Sequence, residues 1–190
     1  MDGRPVLLFD SAEAWEAWLD EHHAESCGLW LQISKKSASH ASVSYPEALE
    51  VALCYGWIDG QKQPLDGEYW LQRFTPRGPR SKWSRVNRDK TEALVASGRI
   101  KPAGLREIEA ARADGRWQAA YASQRTAEVP ADLAEALEGN PAAKSFFATL
   151  ESRNRYAILY RLHHATTPAA RARRLDQFIG MLERGEKIHP

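Results

Sequence analysis

The chain has 190 residues, 43% hydrophobic and 27% charged, with a formal net charge of +1. It is too apolar to be disordered and too short for several independent domains, and no apolar run approaches the roughly 20 residues that cross a bilayer, so no membrane span is expected. Met1 to Asp10 holds Arg4 as its one basic group and leads into an acidic stretch, unlike a signal peptide, and the expected location is cytoplasmic.

Asp10 and Glu13 stand at capping-box spacing ahead of Trp15, Trp18 and Leu19, which share one face of a helix running to about Glu25. Gly28 breaks that helix, and Leu29 to Ile33 is an apolar run of strand length with Lys35 and Lys36 at its exit. Ser44-Tyr45-Pro46-Glu47 starts a second helix: serine caps, proline suits the first turn, and glutamate completes a capping box. Gly56 stops it, Trp57 to Gly60 is a short extended piece, and Tyr69 to Phe74 is its strand partner.

From Thr75 to Ser84 two prolines and a glycine forbid regular structure, which makes a basic loop. Val86 to Ser97 and Pro102 to Ala113 follow as helices, the second with Leu105 and Ile108 inward, and Trp117 to Tyr121 as a short helical turn. Beyond a polar stretch, Pro130 to Glu138, Pro141 to Leu150, Asn154 to Ala165 and Pro168 to Arg184 all have helical spacing. The fold class is therefore α+β, mostly helical. It has a small antiparallel sheet in an N-terminal region 1–125 with the basic loop, and a C-terminal helical region 126–190, packed as one compact unit.

Charge is unevenly placed: residues 1–72 carry four basic and twelve acidic groups, residues 73–90 seven and one. Lys35, Lys36, Asp59, Arg73, Arg77, Ser81, Lys82, Trp83, Ser84 and Asn87 form a candidate anion-binding set. Arginines grip phosphate or carboxylate through two parallel hydrogen bonds, lysines add point charge, and a helix start near Ser84 offers backbone donors. Trp83 and Phe74 would permit stacking on a base, so the partner is an anionic small molecule or nucleic acid; the competing reading is a solvated basic face that offsets the acidic half. Trp83 and Trp117 flank loops where a pocket needs an aromatic wall, or they anchor those loops.

Cys27 and Cys54 are too few for a disulfide framework and are not spaced for zinc. Cys54 lies near a helix C-terminus, where the dipole opposes a thiolate, and reads as a structural cysteine. Asp59 reads as a loop cap, no catalytic residue stands out, and neither His22-His23 nor His163-His164 projects both rings to one side; no metal or cofactor is expected. Arg153, Arg155, Arg161, Arg171, Arg173 and Arg174 read as a solvated face paired with Glu151, Asp176 and Glu183.

Trp30 to Lys36, Glu47 to Gly60 (Glu-Ala-Leu-Glu-Val-Ala-Leu-Cys-Tyr-Gly-Trp-Ile-Asp-Gly), Arg73 to Asn87, Asp114 to Trp117 and Asn154 to Tyr160 together resemble the bacterial YdeI/OmpD-associated, or bacteriocin-protection, family. Pro130 to Gly185, with Asn140-Pro141-Ala142-Ala143, Pro168 and Arg171 to Arg174, is similar to that family's helical module. The resemblance implies protection against bacteriocins, antimicrobial peptides or stress, exerted by binding, and association with an outer-membrane porin. It carries no catalytic mechanism. The alternative is an enzyme or a nucleotide- or nucleic-acid-binding protein with its anion site at residues 73–90, and a third reading is a module that contacts a protein partner through the C-terminal helices.

Overall fold

In a computed structural model, which describes residues 3–190, the chain divides into two compact units, one ending at Ala120 and the other beginning at Tyr121. The first holds β1 (Val6–Leu7), α1 (Ala12–His22), β2 (Leu29–Ser34), α2 (Tyr45–Cys54), β3 (Trp57–Pro64), β4 (Tyr69–Pro76), α3 (Arg85–Ala96) and α4 (Pro102–Ala113). The second holds α5 (Ala131–Glu138), α6 (Pro141–Thr149), α7 (Ser152–His163) and α8 (Pro168–Glu183). The class is α+β, as the spacing predicts. Among the described residues no helix is long and apolar enough to cross a membrane.

The sheet order is β1-β2-β4-β3. β4 pairs antiparallel with β3, the partner expected for it, and also with β2, but β1 lies parallel to β2, so the sheet is mixed and not wholly antiparallel as expected. Two residues are too few to show alternation, which is why β1 is invisible in the sequence. Helix α1 is capped by Ser11, whose hydroxyl accepts from Ala14 N at 3.2 Å, rather than by Asp10. At α2 both halves of the capping box between Ser44 and Glu47 form as expected. Gly56 then turns the chain at a φ of 73°, where a Cβ would also stand 2.8 Å from Glu107 Cγ, and this reversal launches β3.

Helices α1 and α2 cover one face of the sheet, burying Trp15 and Leu19 against Leu29, Leu31, Ile33, Trp57 and Phe74. Trp15, Trp30, Trp57 and Trp83 are all essentially inaccessible. At about 25 cal/mol per Å² and 150–250 Å² per ring, each contributes about 4–6 kcal/mol of transfer free energy. The indole of Trp15 donates to Ala48 O at 3.1 Å, which ties α1 to α2 and satisfies the ring's one polar atom. On α4 the inward residues are Gly104, Ile108 and Ala111; Leu105, expected inward, is 42% exposed. Gly104 takes its place because only a residue without a side chain lets α4 lie this close to the end of α2. Trp117 to Ala119 lie in a turn in which Ala119 N donates to Gly115 O at 3.0 Å and Ala120 N to Trp117 O at 3.3 Å, and Tyr121 is a bridge residue.

In the second unit Leu133, Leu137, Phe147, Ile158, Leu162, Phe178 and Leu182 make a separate core, so the four helical periodicities are carried through. The arginines there pair differently from the expectation. Arg171 grips Asp132 of α5 with two hydrogen bonds of 2.6 and 2.8 Å and donates to Leu162 O, while Arg174 donates to Arg161 O. Local i to i+4 pairing yields here to a fork that binds three helices together.

Candidate functional site

In β4 Trp70, Gln72 and Phe74 face α1 and α2, and Tyr69, Leu71 and Arg73 face the other way, by strand alternation. On β3 Asp59 pairs with Phe74 but Lys62 pairs with Gln72, three steps against two. This bulge at Gly60-Gln61 brings Asp59, Lys62 and Pro64 onto the helix-covered side together, whereas uninterrupted alternation would send Lys62 to the opposite face. Lys62 and Trp70 then become diagonal neighbours, and the ammonium sits 4.0 Å from the centroid of the indole.

At this end of the sheet Lys35, Lys36 and Lys62 surround an open basin of about 710 Å³, floored by Pro64 and Trp70 with Ser34 at its edge. The loop carrying Lys35 and Lys36 is closed at its base, where Ser34 N donates to Ser42 Oγ at 2.8 Å and Ser42 N to Ser34 Oγ at 3.2 Å. Lys35 N donates to Glu68 O at 2.7 Å and Ser39 N to the Glu68 carboxylate at 2.9 Å, so the loop is fastened to the β3–β4 turn. That turn is shaped by Asp66, whose Oδ1 accepts from Glu68 N and Tyr69 N; these donors hold its carboxyl below the usual range. None of the three lysines makes an ion pair with a described residue; Lys35 Nζ donates to the Asp66 carbonyl.

Behind the basin Tyr45 packs its ring 5.9 Å from that of Trp70 and donates its hydroxyl to Asp59 Oδ2 at 2.8 Å. Burial first, then the Asp59 charge and this hydrogen bond, push the phenol well above its ordinary range, so it stays a donor. Asp59 is thereby an internal acceptor bracing the aromatic floor. Arg73 opposes Trp30 on the other sheet face, with its Nε where a Cβ on Gly60 would come within 2.9 Å.

The remaining sequence candidates stay together along the loop and the start of α3. Arg77 is buried, with its guanidinium 3.5 Å from the centroid of Trp83, Nη1 donating to Lys82 O at 3.2 Å and its backbone N donating to Gly56 O at 3.0 Å. Trp83 packs on Trp117 at 4.7 Å inside the core, so these two rings anchor loops. Ser81 Oγ accepts from Gly78 N, and Ser84 caps α3 by accepting from Asn87 N at 3.1 Å. Of the ten candidates, therefore, Lys35 and Lys36 reach the basin, Asp59 stands behind it, Arg73 faces away, and Arg77, Ser81, Lys82, Trp83, Ser84 and Asn87 belong to the loop.

The profile of a family described as "Domain of unknown function (DUF8412)" matches residues 7–107, more than half of the chain, and one described as "Bacteriocin-protection, YdeI or OmpD-Associated" matches residues 126–185. The chain belongs to the first family and carries a YdeI/OmpD-associated module. Helices α5–α8 form that module, and the basin lies wholly within the stretch matched by the domain of unknown function. The C-terminal run that resembles the YdeI/OmpD-associated family is the part its profile covers; the blocks at Trp30 to Lys36, Glu47 to Gly60 and Arg73 to Asn87 fall under the other profile. Comparison with curated proteins and with solved structures gives no match.

Of the basin residues the sequence reading misses Ser34, Lys62, Pro64 and Trp70. Ser34 directly follows, and Trp70 lies within, a run that reads only as a strand, whereas Lys62 and Pro64 lie in what reads as a connection. The one signal for them is Gly60, because a glycine inside a strand pattern marks a bulge and a bulge resets which residues share a face.

Proposed function

We propose that this is a cytoplasmic binding protein whose role is protection against bacteriocins, antimicrobial peptides or allied stress, and that its N-terminal unit takes an anionic ligand in the lysine basin. The observation that carries the reading is the set Lys35, Lys36 and Lys62 gathered around Trp70 with no described carboxylate paired to any of them. Anchored lysine stems around an indole and a proline suit a ligand with anionic groups at its rim and apolar surface at its base. Each exposed lysine adds about 1 kcal/mol of Coulomb attraction at 4 Å, which supports a fast, salt-sensitive association of modest affinity. The same charge repels a cationic peptide, so protection through this basin works by way of an anionic ligand and not by capturing such a peptide there.

The rival position for an anion site, the loop at residues 73–90, is less supported, because its Arg77 and Trp83 are spent on each other inside the core. The test is a protection assay in a host lacking the gene. Wild-type protein restores survival in the presence of bacteriocin and the triple variant K35A/K36A/K62A does not, while accumulating to the same level. Equal survival with and without the gene, or full rescue by the triple variant, refutes the reading.

A further inference from the structure

The C-terminal unit contains a second concavity, of about 370 Å³, on the outer face of α7. Arg153, Ala157 and Arg161 follow one another at i, i+4 and i+8, and Tyr156 and Tyr160 lie beside them, so all five share one side of the helix. At 1.5 Å per residue the two arginines are about 12 Å apart along the axis, one at each end of a tyrosine floor, and Ala157 leaves the gap between them. Gln124 and His189 form the walls.

Both walls are fixed to α7 by hydrogen bonds. Gln124 Nε2 donates to Ser152 Oγ at 3.0 Å, and the Tyr156 hydroxyl donates to Ala122 O at 2.9 Å. On the other side Asn154, 4% exposed, spends its whole amide on one residue: Nδ2 donates to His189 O at 3.2 Å and Oδ1 accepts from His189 N at 2.9 Å. This pairing pins the segment in which Ile188 packs against the second core, and it also holds His189 beside the groove. Tyr160 is braced from behind by Tyr121 at 5.1 Å and His164 at 4.3 Å. The floor and walls therefore exist before any ligand arrives.

The two arginines are left over. Arg171 is used on Asp132 and Arg155 lies over Phe147, whereas neither Arg153 nor Arg161 makes an ion pair with a described residue. Each presents a guanidinium fork that matches phosphate or carboxylate, next to phenol rings whose faces accept a flat ring. The volume lies at the low end of the roughly 300–1,000 Å³ typical of small-molecule sites, which limits the occupant to a compact molecule.

We propose that this groove is a separate ligand site for a small aromatic anion, a flat heterocycle or ring bearing phosphate such as a mononucleotide, with the ring on Tyr156 and Tyr160 and the anionic group held by Arg153 or Arg161. Burial, followed by the neighbouring tyrosines, pushes the Tyr156 phenol up to about 12, so the floor stays neutral and does not oppose an anion at physiological pH.

The test is calorimetric titration of the full chain with adenosine 5′-monophosphate, adenosine, inorganic phosphate and an aromatic dicarboxylate as probes. The monophosphate binds more tightly than adenosine or phosphate alone, because charge and ring act together, and the dicarboxylate arm separates phosphate from carboxylate as the anion. R153A/R161A weakens binding at least tenfold, and A157F, which fills the gap with the arginines intact, does the same. K35A/K36A/K62A, which removes the charge of the lysine basin, still binds the monophosphate, and that remaining binding is lost when R153A/R161A is added. The proposal is overturned by no binding of any probe, by undiminished binding to R153A/R161A, or by loss of binding in the lysine variant.

Discussion

Replacing Gly104 by alanine sets two known magnitudes against each other. In a helix the change favours folding by up to about 1 kcal/mol, because alanine loses less backbone entropy, and by less in the first turn of α4 where Gly104 lies. A Cβ at Gly104, however, would collide with the carbonyl oxygen of Cys54 and stand 2.9 Å from its carbon and 3.0 Å from Leu53 O. These are backbone atoms closing α2, and Cys54 O already accepts from Lys101 N at 3.1 Å, so neither can swing aside as a side chain would. Overpacking of this kind costs about 1–3 kcal/mol, and with the carbonyl immobile the upper half applies, for a net loss of about 1–2 kcal/mol. The control is Gly180→Ala in α8, where the new methyl group meets only the flexible end of Arg184 at 3.4 Å and the same propensity gain of up to about 1 kcal/mol stands unopposed. All seven tryptophans lie at or before Trp117, so urea unfolding followed by tryptophan emission reports G104A and helical circular dichroism reports G180A. A midpoint for G104A equal to or above that of the parent refutes the close approach of α4 to α2.

Two further outcomes follow from the charges and thiols. Asp132 is held below the usual carboxylate range, first by its hydrogen bonds with Arg171, so its contribution is complete above the unfolded value near 4 and is lost as pH falls through the lowered folded value. With the pair about a third exposed, D132N costs about 1 kcal/mol or less at pH 7, and the gap from the parent closes as the pH falls through the lowered folded value; a gap that widens on acidification contradicts the pairing. Burial raises the Cys54 thiol, and Cys27 is exposed, so a thiol reagent labels one cysteine quickly in the folded protein and both in denaturant. Rapid labelling of both in the native state contradicts the packing of α2.

What the sequence makes legible is whatever is local. The capping box at Ser44, the stop at Gly56 and the apolar spacing of the four C-terminal helices are all written within a few residues, and all appear in the structure. The errors arise where a distant residue decides. Leu105 has helical spacing for burial, but the carbonyl of Cys54 reserves that position for Gly104. Arg77 and Trp83 have the composition of a ligand site, yet stack on each other because the loop folds back to Gly56. The basin combines both cases: Lys35 and Lys36 follow from the end of an apolar run, whereas Lys62 joins them only through a bulge that reverses its face.

The most direct measurement of the central claim is a tryptophan-fluorescence titration with inorganic tripolyphosphate, a multiply charged anion that has no ring and does not absorb. Trp70 is the indole beneath Lys62, so binding in the basin gives a saturable change in emission that weakens with added salt, disappears in W70F, and requires far more ligand in K35A/K36A/K62A. An identical titration curve for the triple lysine variant, or no saturable response in the parent, contradicts the assignment of the basin as an anion site.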